Sequence, residues 1–394
     1  MKKCSIKVLI VFTALLAFPA TGALGHPDAS PGAKPEAQVS PPPEKPAPNA
    51  PPAAQPATPV KPTPPSAQQP AQPETSPPAE PGTIVAGIRS EAESLRSLLS
   101  SESARAFLGS AADLPAIAPR TLYHDAAKSR YWSESDAASL PEGERAALQS
   151  RVFDEDFYYN TRYGTPLAYA RPLDLLGVRG FQAARARVFD FGYGGIGQLR
   201  MLASIGADVV GVEVNPIVRA LYSYPGDQGS IKGQAGVEGR LSLVYGSFPA
   251  EGEVKAAVGE SFDLILSKNV LKRGYIHPEQ PVPDAQKVIL GVEDGVFVET
   301  LFAILKPGGM MMIYNLSPAP NTTGKPYRPW ADGRCPFPRE MWEAAGFRVI
   351  AFDEDDSEMA RAMAHALGWD AGPPPMDLVK DLFAQYTLVV KPGT

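Results

Sequence analysis

The sequence predicts an α/β chain: a doubly wound, mostly parallel sheet of seven strands with an antiparallel last strand, preceded by a helical N-terminal cap. Three observations carry this. Over residues 187–216 a short apolar run, a turn of closely spaced glycines, a helical stretch and a second apolar run succeed one another as strand, turn, helix and strand. The second run, 208–214, is apolar almost throughout, as a parallel strand buried on both faces must be. Beyond it, short apolar runs alternate with helical periodicities up to the C-terminus.

Strand one occupies 187–191 and contains Asp190 near its end. The turn reads Gly192-Tyr193-Gly194-Gly195-Ile196-Gly197, and a helix follows over 198–205 with Leu199, Leu202 and Ile205 on one face. Gly206 fits the helix stop, and Pro216 opens the next helix at its favoured first position. Further strands are expected at 241–247, 262–267, 310–315, 347–353 and 386–391, and helices at 249–258, 293–305 and 339–345. Upstream, Ile84, Ile88, Leu95, Leu98, Leu99 and Phe107 mark amphipathic helices, 114–150 reads as mixed helix and loop, and 153–171 is rich in aromatics.

The first 82 residues have another character. Lys2, Lys3 and Lys7, an apolar run over 8–18 and Ala23-Leu24-Gly25 make residues 1–25 an export signal. The run falls short of the roughly 20 residues that a span needs, so no stable membrane span is expected after cleavage. The expected destination is the periplasm, cell envelope or exterior. Residues 26–82 form a Pro/Ala/Gln/Ser tract with nearly half of the 43 prolines, too poor in apolar bulk for a core, and read as a disordered spacer. The helical cap is placed at 83–180 and the α/β domain at 181–394. The formal net charge of −6 speaks against a general nucleic-acid binder. With only Cys4 and Cys335 present, the mature chain has no disulfide, and no metal site is expected.

Glycines at Gly192, Gly194 and Gly197 allow backbone amides to approach a ligand closely. Glu213 ends strand two about 20 residues after the first glycine, where a carboxylate can accept ribose hydroxyls. An adenosine-containing cofactor follows. The spacing matches the fingerprint of NAD enzymes, so an NAD-dependent oxidoreductase is one reading. Asp190 favours another: a carboxylate there suits a cofactor with a positive end, such as S-adenosylmethionine (SAM). Asp190 could also simply brace its turn.

The string as a whole resembles the class I SAM-dependent methyltransferases, which share a Rossmann-like fold. DFGYGGIG resembles their first motif, VEVNP the second, FDLILSKN the fourth-strand motif, and LKPGG the turn before strand five. AAGFRVIAFDED and QYTLVVKP resemble the sixth strand and its antiparallel partner. The resemblance implies SAM as cofactor, with Asp190 and Gly192 at its methionine part, Gly194 giving backbone access and Glu213 on the ribose. It departs in two places. The third glycine falls at Gly197, with Ile196 in the usual position. The loop after strand three has Ser247 where an acid usually meets adenine, so Ser247 is expected to bond the base and Phe248 to stack on it.

Strand four delivers Ser267, Lys268, Asn269, Lys272, Arg273, Tyr275 and His277 to the carboxyl edge of the sheet, and strand five delivers Tyr314 and Asn315. Ser267 is placed at the cofactor. Lys268, Asn269, Lys272, Arg273, Tyr314 and Asn315 are expected to face a small-molecule acceptor, with the cations suited to an anionic one. His277 is the first candidate base and Tyr275 the second; a solvated surface His explains His277 equally well. Arg162 or Tyr163 could reach the carboxylate of the cofactor, and 321–338 suits a substrate lid. A third reading is a non-catalytic nucleotide-binding or structural module in the cell envelope. The oligomeric state is not legible.

Overall fold

The computed structural model describes residues 82–160, 164–233, 236–372 and 374–393; residues 1–81, where an export signal and spacer are expected, and Arg162 and Tyr163 lie outside the described residues. Three strands, β1 (Arg120–His124), β2 (Tyr131–Trp132) and β3 (Gln149–Phe153), form a small antiparallel sheet ordered β2-β1-β3. Eight more form the main sheet: β4 (Arg187–Phe191), β5 (Asp208–Glu213), β6 (Gly229–Lys232), β7 (Glu238–Tyr245), β8 (Phe262–Lys268), β9 (Leu305–Ser317), β10 (Arg348–Asp355) and β11 (Phe383–Val390). Their order is β10-β11-β9-β8-β4-β5-β7-β6. The pairs β4–β5, β4–β8, β5–β7 and β8–β9 are parallel, while β11 and β6 run against their neighbours.

Period-two alternation explains why the central strands read as apolar throughout. Val188, Val209, Leu264, Leu266 and Met312 point into one core. Phe189, Val210, Ile265, Met311 and Ile313 point into the other. The Gly197–Ser204 helix and the N-terminal helices Thr83–Leu95, Glu102–Gly109 and Ala170–Gly177 cover the first face. Asp294–Ile304 and Arg339–Ala344 cover the second with Phe297, Leu301 and Trp342. As expected, Pro216 stands at the first turn of its helix, capped by the Asn215 side chain, which accepts the Ile217 N–H at 3.0 Å.

Two expectations need correction. Among the described residues the main sheet has eight strands, where seven are expected, because β6 adds antiparallel to the outer edge of β7. Four residues with only Ile231 buried leave no readable period. The cap over 83–180 is not purely helical, since it contains the three-stranded sheet. There β3 buries only Phe153, which hides its strand character from a pattern search.

A half-buried ion network ties the N-terminal helices to the sheet. Arg171 donates to Asp356 at 2.7 and 2.9 Å and to Asp174 at 2.9 Å. Asp174 also accepts the N–H groups of Ser100 and Ser101, at 2.9 and 2.7 Å. The Tyr314 hydroxyl donates to Asp356 at 2.8 Å. Arg171→Met would leave two nearly buried carboxylates without their cation, a loss of about 3 kcal/mol. It should lower the urea midpoint without changing the far-ultraviolet circular dichroism of the folded state; an unaltered midpoint would show that the network contributes nothing.

Candidate functional site

The order of the sheet reverses at β4, whose neighbours β5 and β8 lead away in opposite directions, and ligands of open α/β sheets bind at the carboxyl ends of such strands. Asp190 lies at that point, paired in register with Gly211 of β5 and Leu266 of β8. It is 0% exposed. Its Oδ1 accepts the Tyr169 hydroxyl at 3.3 Å, while Oδ2 has no partner. The nearby Gln198 amide donates to the Tyr193 carbonyl at 2.8 Å. Burial pushes the Asp190 carboxyl up to about 7, against the opposing pull of Tyr169, Gln198 and the Lys268 charge.

The turn after β4 uses glycine where other residues would fail. Gly192 has φ 73° and a Cβ there would meet Val270 Cγ2 at 2.6 Å, so the loop after β8 lies directly on it. Gly194, with φ 57°, donates its N–H to Glu213 Oε2 at 3.1 Å. Glu213 Oε1 accepts from Val214 and Asn215 N–H, at 2.8 and 3.1 Å. Burial raises the Glu213 pKa, opposed by these three amides. The carboxylate thus joins the ends of β4 and β5, and Oε2 keeps a lone pair for a further donor. Gly197 serves packing instead: a Cβ would meet Pro166 Cβ at 2.9 Å.

Beside Glu213 an open cavity of about 450 Å³ is lined by Val214, Arg219, Tyr245, Gly246, Ser247 and Glu251. The Arg219 guanidinium lies over the Tyr245 ring, 4.7 Å from its centroid. Glu251 bends back to accept the Ser247 N–H at 2.9 Å, which brings an acid to the loop after β7. Phe248, expected to stack on a base, is instead a core residue. It packs on Phe189 and Phe191, with centroids 5.1 and 6.4 Å away.

The residues after β8 and β9 are mostly occupied by the protein itself. The Asn269 side chain accepts the Leu316 N–H at 2.7 Å, and the Ser267 hydroxyl accepts that of Leu271 at 3.4 Å. Lys272 is buried and donates to the carbonyls of Leu316 and Trp330, at 2.5 and 3.4 Å. Burial and the Lys268 charge bring its pKa down to about 7. Arg273 is exposed, with its side chain 3.8 Å from Asp332. Asn315 donates to the Leu271 and Gly333 carbonyls, at 2.8 and 2.9 Å, and its buried Oδ1 has no partner. Tyr314 belongs to the Arg171 network. Lys268 alone among these cations is both buried, at 8% exposed, and without an acceptor among the described residues.

His277 is half exposed and bonds through Nε2 to Asp294 at 2.7 Å. Tyr275 is half-buried beneath Lys272, whose Nζ lies 5.5 Å from its ring centroid. Among the described residues no group of three or more His, Cys, Asp or Glu is placed to hold a metal, and no helix is long and apolar enough to cross a membrane. Tyr169 and Glu251 are the site residues that sequence reasoning missed as such. Tyr169 sits in the aromatic stretch that reads as core packing, and Glu251 four residues beyond the expected position.

Fold and site together define an open α/β protein whose buried Asp190 lies at the topological switch point of the sheet. No family model and no curated protein matches the chain. Solved structures with a similar fold include the [4+2]-cyclase SpnF, 18% identical over 57% of this chain and 81% of its own, with a TM-score of 0.34. Another is a sarcosine dimethylglycine methyltransferase, so named provisionally, from Galdieria sulphuraria, 16% identical over 57% of this chain and 88% of its own, with a TM-score of 0.32. A third is phosphoethanolamine N-methyltransferase 2 of Haemonchus contortus in complex with SAM, 14% identical over 69% of this chain and 68% of its own, with a TM-score of 0.35.

The ionisation of Asp190 has a measurable sign. Its folded pKa lies above its unfolded one, so the stability it contributes is present at low pH and is lost as pH rises from about 4 to about 7. Asp190→Asn removes that titration. Its stability relative to wild type should therefore grow by about 1–3 kcal/mol between pH 5 and pH 8, in parallel urea titrations. A pH-independent difference would place Asp190 in contact with water.

Proposed function

We propose that this chain is a SAM-dependent methyltransferase acting on a small-molecule acceptor. The observation that carries this reading is the buried Asp190 carboxylate, with one unpartnered oxygen at the switch point, beside a glycine turn and a ribose-competent Glu213. An orphaned acid there fits a cation, and SAM, when bound, would supply a sulfonium methyl group for in-line attack by a nucleophile, the C–S bond breaking to leave S-adenosylhomocysteine. The chain's part is positional: Asp190 faces the cationic end, Glu213 offers Oε2 to the ribose, and the cavity at Val214, Tyr245 and Ser247 receives the base. Where the acceptor must lose a proton, His277 takes it on the ring nitrogen that Asp294 leaves open, with Tyr275 as second candidate.

The NAD reading draws less support. Its pyrophosphate needs the free amides of the turn. Here the Gly194 N–H is bonded to Glu213 and the Gly195 N–H to the Tyr193 carbonyl, next to an acid. Calorimetry on the purified protein should show S-adenosylhomocysteine binding and no NAD binding. Asp190→Ala should weaken the former at least about tenfold while the fold is kept; NAD binding alone would establish the oxidoreductase. His277→Ala should keep nucleoside affinity and lose turnover of an identified acceptor. Tight nucleoside binding with no methyl transfer to any offered acceptor would favour the binding module.

We also propose that the protein is exported through residues 1–25 and stands off on its Pro-rich spacer; the lysines, apolar run and small-residue site support this. N-terminal sequencing of mature protein from the native cells should begin near residue 26. A retained Met1 on protein recovered from the cytosol would remove the proposal.

A further inference from the structure

Residues 327–334 lie as a strap against the carboxyl ends of β8 and β9, the edge where open α/β sheets bind their ligands. The Arg273 and Gly274 N–H groups, which open the Arg273–Ile276 helix, donate to the Arg334 and Asp332 carbonyls at 2.8 and 3.3 Å. The two backbones are so close that a Cβ on Gly274 would meet the Pro329 carbonyl oxygen at 1.9 Å. Asn315 clasps the strap by donating to both Leu271 and Gly333, at 2.8 and 2.9 Å. Lys272, 1% exposed, does the same through the carbonyls of Leu316 and Trp330. Ahead of the strap the chain closes on itself. The Asn321 side chain bonds the Arg328 N–H and carbonyl, at 2.8 and 3.0 Å, and the Arg328 guanidinium donates to the Ala319 carbonyl at 2.9 Å. Behind it, the Cys335 N–H donates to Asp353 at 2.6 Å and Phe337 is fully buried. A closed turn and a firm anchor thus bound a segment that is clasped mainly by polar groups.

The cations that brace this fold have acids. Arg120 is bonded to Asp227 at 2.6 Å, and Arg171 to Asp174 and Asp356 at 2.9 and 2.7 Å. Lys272 has carbonyls alone; the Asp332 carboxylate reaches it only through its field and is bonded to Arg334 at 2.7 Å. The closed strap also leaves Asn315 Oδ1 buried with no donor. Both costs are relieved once the strap lifts and water reaches the two side chains. We propose that residues 327–334 are a lid over this edge of the sheet, held shut by Lys272 and Asn315 and released when Lys272 takes up a proton. The lid does not depend on which cofactor the chain binds. Burial and the Lys268 charge bring the Lys272 pKa down to about 7, with Asp332 opposing, whereas a lysine in water holds its proton to about pH 10.4. The shut lid therefore binds the proton more weakly than the open one, so acid favours opening and closure gains as pH rises from about 7 to about 10. The charged and titratable groups around Lys272 are Lys268 on β8, Arg273 and Tyr275 on the following helix, and Asp332 and Arg334 on the strap, while β9 contributes the Leu316 carbonyl.

Hydrogen exchange on the full chain reads the opening at Arg273 and Gly274, whose N–H groups lose their acceptors when the strap lifts. With each amide referred to its unfolded exchange at the same pH, their protection should rise about tenfold between pH 6 and pH 8, and that of β8 should not rise with it. Lys272→Met should abolish the rise. His277→Gln, which removes the histidine just beyond the same helix, should keep it. Protection that stays flat in wild type, or that climbs in step with β8, would overturn the lid, and these two readings decide even if Lys272→Met fails to fold. A rise that survives in Lys272→Met, or vanishes in His277→Gln, would assign the titration to another group and overturn it equally.

Discussion

A carboxylate with no exposed surface must be surrounded by donors or surrender its charge, and Asp190 does each in part. One oxygen has Tyr169, the other nothing, and burial draws its pKa towards neutrality. Gly192 lets the Val270 loop close on the turn, and Gly194 turns its amide to Glu213 instead of to Asp190. The result is a strand edge with two acids of different duty: Glu213 joins the ends of β4 and β5, and Asp190 keeps one oxygen unbonded.

The short stretch 169–171 connects this edge of the sheet to the N-terminal helices. Tyr169 reaches Asp190, while two residues later Arg171 grips Asp174 and Asp356. Segments far apart in sequence are thereby anchored to one helical start, and the N-terminal helices share a core with the first face of the sheet. The cap is thus continuous with the wall of the site, which explains why Tyr314, at the tip of β9, is spent on structure rather than offered to a substrate.

Most of the main sheet was legible because burial on both faces writes itself into composition. The runs at 187–191, 208–214 and 262–267 emerge as β4, β5 and β8 with their ends moved by a residue or so. What escaped had weak periodicity: β6 buries a single side chain, and β3 exposes Val152 while burying Phe153. At the candidate site, spacing puts Asp190, Gly192, Gly194 and Glu213 about one tight turn, and the structure joins Gly194 to Glu213 there. Phe248 was misread because aromatic character does not tell which face a loop residue takes, and it joined Phe189 in the core. The roles of Tyr169 and Glu251 depend on contacts across the chain and on a side chain folding back. Neither leaves a local signature.

The two outer margins of the main sheet bear on how such a chain behaves in company. On one side β6 is only four residues long and turns Ser230 and Lys232 to water. On the other, β10 breaks register twice against β11, carries Asp353 at φ 50° and ends in exposed Glu354 and Asp355. A flat, hydrogen-bond-hungry border recruits strands from other molecules, whereas short, kinked or charged borders repel them. Both described borders of the main sheet are thus of the kind that discourages strand addition, even though the central strands are apolar almost throughout.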